Sequence, residues 1–122
     1  MAERAFTCVS AGPNCQRIVW SGLLNGDTGL PFASHQDDIR LVQVTGTFGA
    51  GGSVTVQGTL EATPTNYQTV HDPQGNDLTF TSGTNRLEQA QEGPLVFRPS
   101  VTAGDGTTDL VVTMTTVKRG QG

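Results

Sequence analysis

The glycine-rich stretch TGTFGAGGSV, residues 45–54, is the first place to look for chemistry, because closely spaced glycines can present backbone amides to a phosphate. A nucleotide-binding Walker loop needs a lysine followed by serine or threonine after its last glycine, and it must open a helix. Here Gly52 is followed by Ser53 and a run of β-branched residues, and no kinase Asp-Phe-Gly motif accompanies the glycines. The stretch is therefore predicted to be a hairpin connection between two long strands, where tight turns favour glycine.

Histidine–aspartate neighbours are the second candidates for chemistry. His35 lies close to Asp37 and Asp38, and His71 immediately precedes Asp72. A metal site would need these segments to converge, and a hydrolytic triad would need an activated serine. The chain contains no G-x-S-x-G, His-x-His or H-E-x-x-H motif. We therefore expect no catalytic, cofactor-binding or metal-binding residues, no cofactor and no enzyme activity.

Two polar segments are predicted to be turns. In HDPQGND, residues 71–77, proline and glycine favour a turn, and the side chains of Asp72 and Asn76 can bond backbone amides. AGDGTTD, residues 103–109, lacks the alternating oxygen-ligand spacing of a calcium loop, so a weak cation site there is only an alternative.

The two cysteines, Cys8 and Cys15, flank a Gly-Pro pair, and a hairpin there could bring them into disulfide range. The opening residues MAERAFTCVSAG hold a charge pair but no apolar segment typical of a secretion signal, so two free thiols are predicted. No second pair of cysteines or histidines has the spacing of a zinc site.

Length and charge narrow the classes of partner. The chain has 122 residues, which fits a single domain spanning residues 1–122, and its formal net charge at pH 7 is −4. A domain this acidic lacks the basic surface that direct binding to nucleic acid or to an anionic membrane requires. No apolar run reaches the roughly 18 residues of a membrane-spanning helix.

The elements that must position any site are strands. Short runs rich in Val, Thr, Leu and Phe alternate with Gly, Pro, Asn and Asp, a rhythm typical of an all-β fold. About eight such strands cannot all lie at edges, so we expect a single-domain antiparallel β-sandwich with jelly-roll topology. The predicted strands are Ala5–Val9, Gln16–Trp20, Ile39–Phe48, Ser53–Glu61, Tyr67–His71, Leu78–Ser82, Leu95–Thr102 and Asp109–Val117.

Three segments depart from this pattern. Residues 1–16 are interpreted as an N-terminal arm, and residues 21–38 as a long irregular loop that is unusually apolar. NRLEQAQEGP, residues 85–94, carries a helix-capping pattern followed by a Gly-Pro stop, so a helical turn and a polar strand both stay open.

Four segments together resemble the small decoration (cement) proteins of tailed bacteriophages: WSGLLNGDTG, VQVTGTFGAGGSVTVQGTLE, DPQGNDLTFTSG and RPSVTAGDGTTDLVVTM. The likeness extends over residues 20–117 and consists of strand and turn types rather than an active-site signature. It implies a β-sandwich or jelly-roll on the outer surface of a capsid, where it stabilises contacts between major capsid subunits. It also implies a homo-dimer or homo-trimer that is made in the cytoplasm of a bacterial host and ends up in the virion.

A role of this kind places the contact residues outside the regular sandwich. The partner-binding residues expected from it are Phe6, Val9, Leu23, Leu24, Leu30 and Phe32. The alternative is that these side chains cap one open end of the core. Arg17, Arg40 and Arg98 could pair with capsid carboxylates, although strand arginines more often lie on a solvated face.

Three other functions stay open. One is a tail or head–tail joining component of a phage. Another is a carbohydrate-binding module that uses Trp20 and Tyr67, the only tryptophan and tyrosine of the chain. The least favoured is a jelly-roll enzyme of the cupin type, which would need clustered metal-binding histidines.

Overall fold

A computed structural model of the chain describes residues 3–12, 15–33, 39–61, 63–82, 87–90 and 96–117. These residues contain strands and turns, and none of them is helical. The strands are β1 (Glu3–Arg4), β2 (Phe6–Gly12), β3 (Cys15–Leu23), β4 (Thr28–Gly29), β5 (Phe32–Ala33), β6 (Ile39–Thr47), β7 (Ser53–Thr59), β8 (Gln68–Thr69), β9 (Thr79–Thr81), β10 (Leu87–Gln89), β11 (Val96–Ala103) and β12 (Asp109–Val117).

The strands form two sheets around a shared core. The seven-stranded sheet has the order β1-β4-β11-β7-β8, with β5 also paired to β11 and β9 to β7; the five-stranded sheet has the order β10-β6-β12-β3-β2. The all-β sandwich predicted from the sequence is confirmed, while the jelly-roll topology stays a prediction. One sheet is mixed rather than purely antiparallel, because β1 runs parallel to β4. Within the described residues, no helix has the length and apolar character needed to cross a membrane.

Alternation along the strands puts one side of each long strand into the core. In β12, Leu110, Val112 and Met114 are buried, whereas the residues between them reach solvent. Val42 and Val44 do the same in β6. Each fully buried aliphatic side chain stabilises the fold by about 1.5–3 kcal/mol. The largest side chains that fill the space between the sheets are Trp20, Phe80 and Phe97.

Three of the connections that cross between the sheets lie at the same end of the sandwich. They join β3 to β4, β6 to β7 and β11 to β12, and we call them the corner segments: residues 24–27, 48–52 and 104–108. The strand register brings them together, because Leu110 near the start of β12 lies opposite both Leu23 in β3 and Gly46 in β6.

The predicted hairpin at residues 45–54 is wrong, because β6 and β7 do not pair with each other. β6 lies between β10 and β12, whereas β7 lies in the other sheet beside β11. The glycines serve a corner instead. Gly46 has a φ of 109°, and a Cβ atom there would meet the carbonyl oxygen of Asp109 in the adjacent strand. Only glycine fits both conditions.

Polar side chains tie two corner segments together. The Thr108 hydroxyl donates a hydrogen bond of 2.8 Å to the carbonyl oxygen of Phe48 and accepts one of 2.9 Å from the N–H of Asp105. The Asp105 carboxylate accepts from the N–H of Ala50 at 2.9 Å and from the N–H and hydroxyl of Thr107. These bonds satisfy backbone groups that a turn would otherwise leave unpaired.

The third corner segment is anchored by Asp27, whose side chain is 5% exposed. Its carboxylate accepts hydrogen bonds from the N–H of Leu24 at 2.9 Å and from Nε of Arg4 at 2.8 Å. Because Arg4 lies in β1, this ion pair fastens the N-terminal strand to the corner.

The segments that departed from the strand pattern are more regular than expected. Within residues 21–38, β3 continues to Leu23, and the short strands β4 and β5 pair with β11. Within residues 1–16, the segment interpreted as an N-terminal arm, β2 pairs with β3 and overlaps the predicted strand Ala5–Val9. In the 85–94 segment, β10 pairs with β6, so the polar-strand alternative is correct for Leu87–Gln89; residues 85–86 and 91–94 lie outside the described residues.

Candidate interaction surfaces

The partner-binding residues predicted from the sequence divide into two groups. Leu23 is fully buried, and Phe6 and Phe32 pack against the core with their rings edge-on, 5.4 Å apart. These three side chains belong to the core or pack against it. Val9, Leu24 and Leu30 are exposed, at 47%, 42% and 40% of their surface.

Leu24 and Leu30 present their side chains from a backbone that is held in place. The carbonyl of Leu24 accepts from the N–H of Asp27 at 3.0 Å, which closes the turn of that corner segment. The N–H of Leu30 donates to the carbonyl of Arg4 at 2.7 Å, and its own carbonyl accepts from Nε1 of Trp20 at 2.9 Å. An apolar side chain on an ordered backbone loses less entropy on binding than one on a mobile loop.

The outer surface of the five-stranded sheet is a second candidate surface. Strand register places Val9, Arg17, Thr115 and Leu41 in one continuous row across β2, β3, β12 and β6. Leu41 is 37% exposed and Leu87, on the neighbouring edge strand, 52%. We call this outer surface the aliphatic face. Its apolar members, all of which reach solvent, are Val9, Val19, Ile39, Leu41, Leu87, Val111 and Val117.

Charge is scarce on the aliphatic face. Among the described residues that point outward from this sheet, the charged ones are Arg17 and Asp109. The other polar members are neutral: Thr7, Ser21, Gln43, Thr45, Thr47, Gln89, Thr113 and Thr115. Removing this face from water therefore costs less than removing a charged face, provided that its hydroxyl and amide groups find hydrogen-bond partners.

This surface was not predicted, although the sequence carries a signal for it. A strand with one solvated face alternates apolar and polar residues, whereas a strand covered on both faces has adjacent apolar residues. Val111 follows Leu110 directly, and Leu41 precedes Val42. In each pair one residue enters the core and the other lies on the aliphatic face.

The outer surface of the seven-stranded sheet has a different composition. Hydroxyl groups dominate it, with pairs such as Thr55 and Thr79 hydrogen-bonded at 2.9 Å. The Arg98 guanidinium stacks 3.7 Å from the ring centre of Tyr67, and its Nε donates to Oε1 of Gln57 at 2.9 Å. Burial raises the pKa of the Tyr67 hydroxyl, against the opposing effect of the Arg98 charge.

The aromatic residues are poorly placed for stacking on a sugar. Trp20 is fully buried, and Arg98 covers one face of Tyr67. Arg40 is also unlike a surface arginine, since it is 7% exposed and lies 5.4 Å from the ring centre of Phe97. Of the strand arginines considered for pairing with a partner, Arg17 is the exposed one.

The histidine and carboxylate clusters serve turns. Oδ1 of Asp72 accepts from the N–H groups of Gln74 and Asn76, which confirms the predicted turn at residues 71–77. Nε2 of His71 lies 3.5 Å from Oδ1 of Asp77. His35 lies outside the described residues.

Glu61 holds another turn, because its carboxylate accepts from the N–H groups of Asn66 and Thr65 at 2.7 and 2.9 Å. These bonds, that of Asn66 first, lower the pKa of Glu61 to about 2. Within the part of the chain that the structure describes, His, Cys, Asp and Glu do not group into a candidate metal site.

Both cysteines are free thiols, and strand register explains why they do not meet. Cys8 lies opposite Ile18, whose side chain enters the core side of the sheet, whereas Cys15 lies opposite Val117 on the aliphatic face. Two side chains on opposite faces of a sheet cannot form a disulfide without a change of register.

The two sheets make the structural class of the chain an all-β sandwich, and comparison with known proteins does not assign it to a family. No family model matches it, and no curated protein matches it. Among solved structures, that of the SPBc2 prophage-derived protein YomS is similar, with a TM-score of 0.62 and 12% identity. The likeness covers 89% of this chain and 99% of YomS, so the two share a fold over nearly their whole lengths.

Proposed function

We propose that this chain is a structural protein of a bacteriophage particle, which binds the outer surface of the capsid and stabilises contacts between major capsid subunits. The observation that carries the proposal is the fold shared with a prophage-derived protein along 99% of that protein's length. The strand and turn motifs that resemble decoration proteins support it independently. The proposed setting is the virion surface, after synthesis in the cytoplasm of a bacterial host.

The geometry suits a binding role without catalysis. Leu24 and Leu30 expose apolar side chains on an ordered backbone, Leu24 within the corner segment 24–27 and Leu30 three residues after it. The two sheets behind them pack together through buried side chains. A contact of standard size buries about 800 Å² on each partner. A rigid body that touches two neighbouring shell subunits gains avidity, because the second contact is effectively intramolecular. We propose Leu24 and Leu30 as shell contacts, and no cofactor or catalytic group takes part.

The test uses purified chain and expanded, empty shells of the phage that encodes it. Co-sedimentation and native mass spectrometry should show binding at a fixed number of copies per shell, and scanning calorimetry should show a higher melting temperature for the decorated shell. Absence of binding together with an unchanged shell melting temperature would overturn the proposal. Binding to purified tails or head–tail connectors in place of shells would favour the joining role.

A matched pair of variants tests the contact residues. The double variant Leu24→Ser, Leu30→Ser removes two exposed side chains and should weaken shell binding at least about tenfold if they are among the few residues that carry most of the binding energy. Leu60→Ser is the control, because Leu60 is 76% exposed at the far end of β7. Equal shell affinity for the two proteins would remove Leu24 and Leu30 from the interface.

A further inference from the structure

We propose that the aliphatic face is the interface between two copies of this chain, which pack their five-stranded sheets face to face about a two-fold axis. The inference is independent of capsid binding, because it concerns the chain in isolation. Three observations carry it: the composition of the face, its area and the placement of its two charges.

The composition of the face is that of a surface that becomes covered. Its central strand β12 presents Val111, Thr113, Thr115 and Val117 outward, and the neighbouring strands add Val19 and Leu41. β-branched side chains stand on a pleated surface and interdigitate with a second sheet at a spacing of about 10 Å. Among the described residues, the outer surface of the other sheet carries hydroxyl pairs and the Arg98 cluster instead.

The area of the face matches what a stable dimer needs. The three central strands are nine residues long, and the edge strands β2 and β10 have seven and three residues. At about 3.3 Å per residue and about 4.8 Å between strands, they outline a face of roughly 600 Å². A standard interface buries about 800 Å² of accessible surface per partner, and a corrugated sheet exposes more than its flat outline. One copy of this face is therefore large enough for a specific dimer.

The two charges of the face are placed for self-recognition. Arg17 lies beside Thr115, and Asp109 lies six residues before Thr115 on β12, which separates the charges by about 20 Å along the strands. A two-fold axis that lies in the interface and crosses the strands near Thr113 brings Arg17 of one copy towards Asp109 of the other, twice. The chain carries a net charge of −4, so most contacts between two copies would bring like charges together. The aliphatic face avoids this repulsion, because its two charges are opposite and pair with those of the other copy.

The first experiment measures the mass of the purified chain by analytical ultracentrifugation at concentrations of about 1–100 µM, where dimers with micromolar dissociation constants form. We expect the mass of a dimer, and a monomer for Thr113→Lys, which puts two like charges against each other near the axis. Ser100→Lys is the matched control, since Ser100 points outward from a central strand of the other sheet. It should stay dimeric, and circular dichroism should show that both variants are folded.

The second experiment reverses the charges and covers the case in which Thr113→Lys fails to fold. Arg17→Asp should weaken the dimer at least about tenfold, and the double variant Arg17→Asp, Asp109→Arg should restore it. A double variant that is no tighter than the single one overturns the two-fold arrangement. If the unmodified chain is a monomer, the proposed interface between two copies is overturned. If Thr113→Lys also loses binding to shells in that case, the aliphatic face contacts the shell subunit instead.

Discussion

The hydroxyl of Thr108 donates a 2.8 Å hydrogen bond to the carbonyl oxygen of Phe48, a residue 60 positions earlier in the chain. The bond joins the corner segment between β11 and β12 to that between β6 and β7. Both ends of it are buried, so neither group can turn to water if its partner is lost. The corner end of the sandwich therefore depends on a small number of specific polar contacts.

Replacing Thr108 by valine should destabilise the protein by about 2–3 kcal/mol, because the hydrogen bonds of the Thr108 hydroxyl to the Phe48 carbonyl and to the Asp105 N–H are both lost. Urea unfolding followed by circular dichroism measures this loss. Thr108→Ser keeps the hydroxyl and should retain more of the stability. Equal losses for valine and serine would mean that packing of the methyl group, and not the hydrogen bonds, stabilises the corner.

Stability should fall as the pH is lowered from about 4 towards 2. The Thr107 hydroxyl and then the Ala50 N–H lower the pKa of Asp105 from 3.8 to about 2, and the bonds to Glu61 lower its pKa from 4.5 to about 2. Because the folded pKa values lie below the ordinary ones, both groups stabilise the fold above that window and lose the effect as they take up protons. Unfolding midpoints in urea across this pH range measure it.

The neutral variants Asp105→Asn and Glu61→Gln provide the comparison. Each should flatten the pH dependence of stability below pH 4.5 relative to the unmodified chain, because the titrating group is gone. A pH profile with the same slope in both variants and in the unmodified chain would show that these turns do not hold the carboxylates charged.

Gly46→Ala should cost more stability than Gly51→Ala. Both glycines have positive φ, at 109° and 67°, but a Cβ at Gly46 also meets the Asp109 carbonyl, whereas a Cβ at Gly51 meets nothing within 4 Å. We expect a loss of at least about 2 kcal/mol at Gly46 and about 1 kcal/mol at Gly51. Thermal unfolding of the two variants measures the difference, and similar melting temperatures would refute the close approach.

Trp20→Phe should destabilise the protein by about 2–4 kcal/mol, since it leaves a cavity and removes the donor to the Leu30 carbonyl. The N–H of Leu30 donates to the carbonyl of Arg4 in β1. Hydrogen exchange of this N–H should therefore accelerate more than that of Val112, which lies in the central strand of the five-stranded sheet. Uniform acceleration at both sites would indicate global loss of stability without a local anchoring role.

The strands with a clear period of two were predictable from the sequence, and the partners of those strands were not. Residues 53–59 and 109–117 alternate in a way that any local window detects, and both are strands. The short strands β4 and β5 span two residues each, too few to show a period, and they exist because β11 offers its edge to them. The corner at residues 48–52 looked like a hairpin because sheet membership is decided by distant strands.

The surface residues were predictable only in part for the same reason. Leu23 and Leu24 are adjacent and chemically identical, yet Leu23 ends β3 inside the core and Leu24 begins a corner segment in solvent. The difference in burial follows from the register shift between β3 and β12, which turns the side chain of Leu23 into the core. This shift depends on both strands and not on the local sequence of either. The aliphatic face, in contrast, was predictable from the adjacent apolar residues of β6 and β12, although it was not predicted.

The order of the five-stranded sheet also has a consequence for synthesis. Its central strand β12 is the last strand described along the chain, and it separates β3 from β6, which are made much earlier. At about 5–20 residues per second, those earlier strands wait several seconds on the ribosome with their pairing edges unfilled. Aggregation during translation should therefore depend most on how well the unpaired edges of β3 and β6 are covered in that interval. Chains on ribosomes that are stalled before residue 109 should be cut readily by a protease.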